Sequence, residues 1–271
     1  MTVRWSNDVA EYLERVETFL CASPVEHSVL LTSAHRCAGG PVEGQLWLWV
    51  EADGAVVAVA QQVPPWQAYV SVGSNSAMGD LAKALRGFRP ELGGVGGMRP
   101  AAEAFARRWR ELTGRETATA MTQGVYVANE VRHPTGIPGR MRLGEAADVP
   151  LIQAWSDGFS AELGDHAPRQ DVGPWIEHRR VFIWEVDAQE VSVAMAHQGY
   201  GGVARVSMVY TPPEHRRRGY AGAVVAGVTA RQLEAGLRCM LYTDLANPTS
   251  NGVYQRVGYR QMCEAVDVRF S

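Results

Sequence analysis

Between Val203 and Thr243 the chain reads as strand, tight turn, helix and strand, and this unit constrains the fold more than any other stretch. Val203 to Thr211 is a β-type run that stops at Pro212-Pro213. Beyond Glu214-His215-Arg216-Arg217-Arg218-Gly219-Tyr220, the residues Ala221, Val224, Val225 and Val228 recur at the spacing of one helix face. Leu237 to Thr243 is a second apolar run. A helical crossover between strands of one sheet is right-handed and leaves them parallel, so the segment predicts an α/β (α+β) architecture. It also sets Gly219, Ala221 and Gly222 at the helix start, where the first amides lack intrahelical acceptors and the helix dipole is positive. A pyrophosphate suits such an end, with arginine charge beside it. A solvated helix cap uses the same residues and is the alternative.

The rest of the chain alternates helix and strand on both sides of one break. Arg132-His133-Pro134-Thr135-Gly136-Ile137-Pro138-Gly139 has no apolar period, which predicts domains at 1–135 and 136–271. Before it, Val9, Tyr12, Leu13, Val16 and Leu20 follow helical spacing after Ser6, read as the N-cap. Leu46–Val50 and Val56–Ala60 flank Asp53-Gly54, a hairpin turn. Tyr69–Val72 and Gln123–Val127 read as strands, and Ala77–Leu85 and Ala101–Leu112 as helices. Gly93-Gly94-Val95-Gly96-Gly97 is read as a turn or a close backbone approach. After the break, Arg142-Leu143 is a short strand and Asp148 caps a helix bearing Val149, Ile152, Trp155 and Phe159. Val181–Val186 and Val191–Ala196 form a hairpin around Asp187-Ala188-Gln189-Glu190, and Val266, Val268 and Phe270 mark a last strand.

Charge and cysteine usage narrow the function classes. With 26 basic against 29 acidic residues, the net charge of −3 gives no bulk affinity for nucleic acid or an anionic membrane. Arg216–Arg218 has no interleaved aromatics and does not read as a nucleic-acid patch. Cys21, Cys37, Cys239 and Cys263 are isolated and read as reduced packing residues, with no metal-ligand spacing. The N-terminus lacks the pattern of a secretory signal, and no 18-residue apolar run occurs, so a cytoplasmic chain without membrane or metal is expected.

Two motifs sharpen the reading. Arg216-x-x-Gly219-x-Ala221 resembles the Q/R-x-x-G-x-G/A signature of the GCN5-related N-acetyltransferase (GNAT) superfamily. Asn247, Ser250, Tyr254, Gly258 and Tyr259 resemble that superfamily's N-x-x-A/S-x-x-x-Y-x-x-x-G-F/Y pattern. The resemblance covers residues 140–271 and implies a mixed, mostly antiparallel twisted sheet flanked by helices, with acetyl-CoA as co-substrate. It implies that Val209, Tyr210 and Thr211 offer backbone groups to the pantetheine. It further implies that Arg216 opens a pyrophosphate loop whose amides come from Arg217, Arg218, Gly219, Tyr220, Ala221 and Gly222. Asn247 and Ser250 would contact the CoA arm. Tyr254 would protonate the departing thiolate, a role that suits a hydroxyl within reach of the sulfur. The alternative for Tyr254 is a half-buried helix tyrosine packing on the sheet.

Many family members carry a glutamate on the strand before the phosphate loop, and Val203–Thr211 holds none. Asp244, Glu185, His197 and Glu162 are substitutes by proximity along the chain, each also readable as an ordinary surface or capping residue. A neutral amine would need only a water relay. Trp155, Phe159, Trp175 and Trp184 read as core or as lining of an acceptor pocket.

The N-terminal half follows a similar element order without a phosphate-loop signature; Val72-Gly73-Ser74-Asn75-Ser76 lacks the arginine. The whole thus resembles a tandem GNAT-like fold with a degenerate N-terminal copy, as in two-domain members similar to glycine N-acyltransferase-like proteins. The implied activity is direct transfer of acetyl from acetyl-CoA to a primary amine of a small molecule or peptide. A longer acyl-CoA donor and a non-catalytic CoA-sensing module are the alternatives, Tyr254 favouring catalysis and the missing glutamate favouring the sensor. A homodimer is left open.

Overall fold

The computed structural model describes residues 1–164 and 170–271. The first part of the chain forms β1 (Thr2–Ser6), α1 (Val9–Ala22), α2 (Ser28–Gly39), β2 (Leu46–Ala52), β3 (Ala55–Gln62), β4 (Ala68–Val70), α3 (Asn75–Phe88), β5 (Gly94–Met98), α4 (Arg99–Thr113) and β6 (Thr117–Ala128). Then follow β7 (Arg140–Leu143), α5 (Val149–Leu163), α6 (Gly173–Glu177), β8 (Val181–Val186), β9 (Gln189–Ala196), β10 (Val203–Tyr210), α7 (Tyr220–Glu234), β11 (Arg238–Asp244), α8 (Pro248–Val257) and β12 (Arg260–Phe270). Among the described residues no helix is long and apolar enough to cross a membrane.

The chain divides into two compact units, one of residues 1–125, 244–246 and 262–271, the other of residues 126–243 and 247–261. In the first unit the strand order is β1-β2-β3-β4-β5-β12-β6. β4 and β5 run parallel, and β12 lies antiparallel to β5. The hairpin of β2 and β3 turns on Asp53 (φ +50°) and Gly54 (φ +79°), the left-handed pair a two-residue turn requires. The core of this unit is Leu48, Val50, Met78, Leu81 and Leu85 with Phe105, Trp109 and Phe270. Trp109 stacks on Phe105 and Phe270, centroids 6.0 and 5.3 Å away. β12 is therefore core of the first unit, although its sequence comes last.

Two readings are corrected here. Ser6 ends β1 rather than capping α1; Asp8 is the N-cap, its carboxylate accepting the Ala10 amide at 2.8 Å. The glycine run is not a turn but β5, buried along its length. A Cβ at Gly94 would lie 2.5 Å from the Val268 carbonyl oxygen, so close backbone approach is the physical reason for its glycine. β1, α2 and α6 were not anticipated, α2 because its N-cap, His27, makes no side-chain capping bond.

The second unit has strand order β11-β10-β9-β8-β7, with β10 and β11 parallel and the β10–β9, β9–β8 and β8–β7 pairs antiparallel. This is the mixed, mostly antiparallel sheet with flanking helices that the motifs implied. The β8–β9 turn places Asp187 (φ +49°) and Ala188 (φ +62°) in the left-handed region, and β10 and β11 are joined through α7 as the sequence predicts. At the β7 edge Arg142 donates to both Asp148 oxygens at 2.7 and 2.8 Å, and to Glu185 and Glu190. Asp148 also accepts the Glu145 amide at 2.8 Å, closing a capping box on the 3-10 turn ahead of α5. It stands at the N-cap position of α5 but makes no side-chain bond to that helix, so the expected cap is corrected to an ion-pair and turn role.

Candidate functional site

The parallel ladder between β10 and β11 holds only Val203–Arg238, Ala204–Cys239 and Arg205–Met240. Beyond Arg205 the two strands no longer pair, and β10 also shifts register against β9 between Ser207 and Tyr210. The shift coincides with Met208 at φ +46°, a bulge that bends the strand. Val209 and Tyr210 thus end a strand whose β11-facing edge has lost its ladder partner, and Thr211 follows directly after it. Ser192, fully buried on β9, fixes that end: its Oγ donates to the Tyr210 carbonyl at 3.1 Å and lies 2.8 Å from Thr211 Oγ1. Sequence reasoning missed Ser192, since a serine inside an apolar strand carries no signal of its partner.

The turn that follows bonds the His215 and Arg216 amides to the Pro212 and Pro213 carbonyls and leaves the amides at its far end open. Arg217 (φ +62°) and Gly219 (φ +85°) both adopt the left-handed conformation, and Gly219 is the N-cap of α7 without any side-chain cap. The first intrahelical bond runs from the Ala223 amide to the Gly219 carbonyl at 3.0 Å, so the amides of Tyr220, Ala221 and Gly222 precede it. Such an end binds anions through its N–H groups and dipole. Arg217 and Arg218 are exposed beside it.

Arg216 does something more specific than add charge. Its Nε donates to the Thr211 carbonyl at 2.8 Å, its Nη2 pairs with Glu162 of α5, and its guanidinium lies 5.6 Å from the Tyr210 ring centre. It clasps the strand end to α5, and Gly158 on the same helix leaves room for the Tyr210 hydroxyl, which a Cβ would meet at 2.9 Å. The expected linker also reaches this place: a Cβ on Gly219 would meet Ile137 Cδ1 at 2.5 Å, and one on Gly222 would meet Pro134 Cγ at 3.5 Å. Glycine at 219 is therefore favoured by backbone conformation and by Ile137 together.

α8 carries the second motif. Asn247 Oδ1 accepts the Ser250 amide at 3.1 Å, so the asparagine side chain caps α8. Tyr254 is buried in that helix, packed edge-on against Tyr259 with centroids 6.2 Å apart, and burial pushes its hydroxyl pKa up to about 12. It stays protonated at neutral pH, as a proton donor must. Tyr259 is anchored in turn by a 2.7 Å contact with Thr229 Oγ1 of α7.

The four substitute bases are otherwise engaged. Glu185 is held chiefly by Arg142 and also by Arg140, which keep its carboxyl below the usual range; Glu162 pairs with Arg216. Asp244 accepts the Ala246 amide at 2.8 Å, and His197 lies against Trp175 and Arg205. Trp155, Phe159 and Trp175 pack on the core around Ile152 and Ile183, while Trp184 donates to the Pro138 carbonyl at 2.8 Å. Among the described residues no cluster of His, Cys, Asp or Glu could hold a metal ion.

Comparison with known proteins bears on the fold. Residues 185–268 match the family model described as FR47-like protein. A GNAT-family acetyltransferase structure from Colwellia psychrerythraea superposes with a TM-score of 0.62 at 11% identity, covering 100% of this chain and 99% of that one. The GCN5-related N-acetyltransferase of Sphaerobacter thermophilus gives 0.64 at 15% identity, covering 99% and 94%. That of Kribbella flavida gives 0.61 at 16%, covering 89% and 94%. At these identities the likeness is one of fold. No curated relative matches the chain in sequence.

Proposed function

We propose that this chain, a member of the GCN5-related N-acetyltransferase superfamily, transfers an acyl group from acyl-CoA directly to a primary amine, with acetyl-CoA as donor and a small molecule or peptide as acceptor. One observation carries the reading: the β10–β11 ladder stops beside a helix start that has no side-chain cap. An extended chain of amides ending in a pyrophosphate fits both features, since the strand edge supplies backbone partners and the helix start favours negative charge.

Within that reading the residues divide the work. Val209, Tyr210 and Thr211 hold the pantetheine amides, and the amides from Arg217 to Gly222 hold the pyrophosphate. Arg216 acts mainly by fixing the strand end through Thr211 and Glu162. Asn247 and Ser250 shape the start of α8 and, through it, the position of Tyr254. As the thioester breaks, electrons pass to sulfur and the Tyr254 hydroxyl supplies its proton; the amine reaches the carbonyl neutral and gives up its proton to water. No carboxylate is assigned as base, because each candidate is committed to a cap, a basic partner or a ring contact.

The test is free-thiol release from acetyl-CoA across an amine library, with Tyr254→Phe as the control. Turnover should fall about 10²-fold or more while CoA affinity stays within about twofold, as expected when only a proton donor is lost. Unchanged turnover removes Tyr254 from the mechanism. CoA binding without thiol release for any amine would instead assign the chain to ligand sensing.

A further inference from the structure

We infer that the second unit carries a separate site for a small molecule bearing a phosphate group, at the opposite end of α7 from the candidate acyl-donor site. A cleft of about 310 Å³ opens where β8 begins and β9 ends, lined by His178, Arg179, Arg180, His197, Gln198 and, from the last turns of α7, Gln232. Gln232 lies thirteen residues beyond Gly219, so at 1.5 Å per residue the two places are about 20 Å apart along the helix. The cleft is independent of the acyl-transfer reading.

Its chemistry is one-sided. Two arginines, two histidines and two glutamines are among its lining, and no carboxylate is among the described residues that line it. Their directions are set in advance. Arg180 Nη2 donates to Gln198 Oε1 at 2.6 Å, which fixes the guanidinium plane beside the cleft. His178 Nδ1 lies 2.6 Å from the Pro174 carbonyl and so carries the hydrogen there, leaving Nε2 as the other ring nitrogen. His197 is held edge-on by Trp175 at 4.7 Å. The turn that presents these groups is pinned by the Arg179 amide on the Ile176 carbonyl and the Arg180 amide on the Trp175 carbonyl, each at 2.9 Å.

Arg179 itself sits at φ +57° in an exposed turn, a conformation that glycine adopts with less strain. An arginine there lines the cleft at a conformational cost. A guanidinium fork matches the oxygens of a phosphate, which a spherical halide does not offer, and binds it through charge-assisted hydrogen bonds. The volume lies at the lower end of ligand pockets, which suits a compact phosphate compound rather than a dinucleotide.

The experiment uses the full ¹⁵N-labelled chain titrated with inorganic phosphate and, separately, with glycerol 3-phosphate, against sodium chloride at matched ionic strength. The Trp175 indole and the amides of residues 178–180 and 197–199 should shift saturably with a Kd of about 1–10 mM for inorganic phosphate. Tighter binding of glycerol 3-phosphate would identify an organic phosphate as the ligand, and equal binding the free ion; either supports the site. Arg180→Gln and Arg179→Ala should each weaken binding about tenfold, the loss of one charge-assisted contact. Shifts reproduced by chloride, no saturation at about 50 mM, or unchanged affinity in both variants would overturn the inference.

Discussion

Replacing Gly219 by alanine tests how the loop before α7 is held. The residue sits at φ +85°, where an L side chain costs about 1 kcal/mol. The new Cβ would also stand 2.5 Å from Ile137 Cδ1 and 3.2 Å from Cγ1. Cδ1 is the end of a half-buried side chain that can rotate away, so the clash adds about 0.5–1.5 kcal/mol rather than a full overpacking cost. The sum, about 2 kcal/mol, corresponds to a fall in Tm of about 4–8 °C. Urea unfolding of Gly219→Ala, Ile137→Ala and the double variant separates the parts. In the Ile137→Ala background only the backbone cost of about 1 kcal/mol should remain. A loss under about 0.5 kcal/mol in the single variant, or strict additivity in the cycle, would refute the reasoning.

Arg142→Ala leaves the buried Asp148 carboxylate without its bidentate partner and should cost about 2–4 kcal/mol in chemical unfolding at pH 7. Asp148 is held below its usual pKa chiefly by Arg142, so this stability is present above the unfolded carboxylate value and is lost as pH falls through the folded one. The acid slope of the wild type should therefore flatten in Arg142→Ala, and an unchanged slope would count against the pair. His27 is buried, with Nδ1 3.1 Å from the Leu20 carbonyl and Nε2 accepting the Val72 amide at 3.3 Å; burial lowers its pKa. The neutral ring contributes stability above the unfolded value of about 6.5, and that contribution is lost as pH falls below it. Unfolding of the wild type between pH 7 and pH 5 should show this loss, and His27→Gln should not.

Much of the fold was legible where its signals are local. Asp53-Gly54 announces its hairpin, the valines of α7 share one face, and the small residues of the loop coincide with left-handed backbone at Gly219. The glycine strand β5 was illegible for the opposite reason: without side chains it has no period, and its need for glycine comes from β4 and β12, the latter about 170 residues away. The place of β12 in the first sheet is likewise non-local, and the alternation at Val266–Phe270 reports a strand without naming its partner. At the site, the motif located the loop and Tyr254, while Arg216 had a dual identity that spacing cannot resolve. Charge beside a helix start reads as a phosphate ligand, yet Thr211 and Glu162 engage it as a clasp. The same contacts explain why no base could be chosen from sequence: carboxylates look alike until their partners are known.

Binding of CoA to the wild type and to Ala221→Glu is the most direct measurement of the central claim. A carboxylate in the first turn of α7 complements the helix dipole and should leave the fold intact or stabilise it by up to about 0.5 kcal/mol. It would also place negative charge where the pyrophosphate is proposed to lie. Saturating CoA, at about 100 times its Kd, should stabilise the wild type by about 2.7 kcal/mol and leave Ala221→Glu unmoved. No stabilisation of the wild type, or equal stabilisation of both chains, would contradict the account.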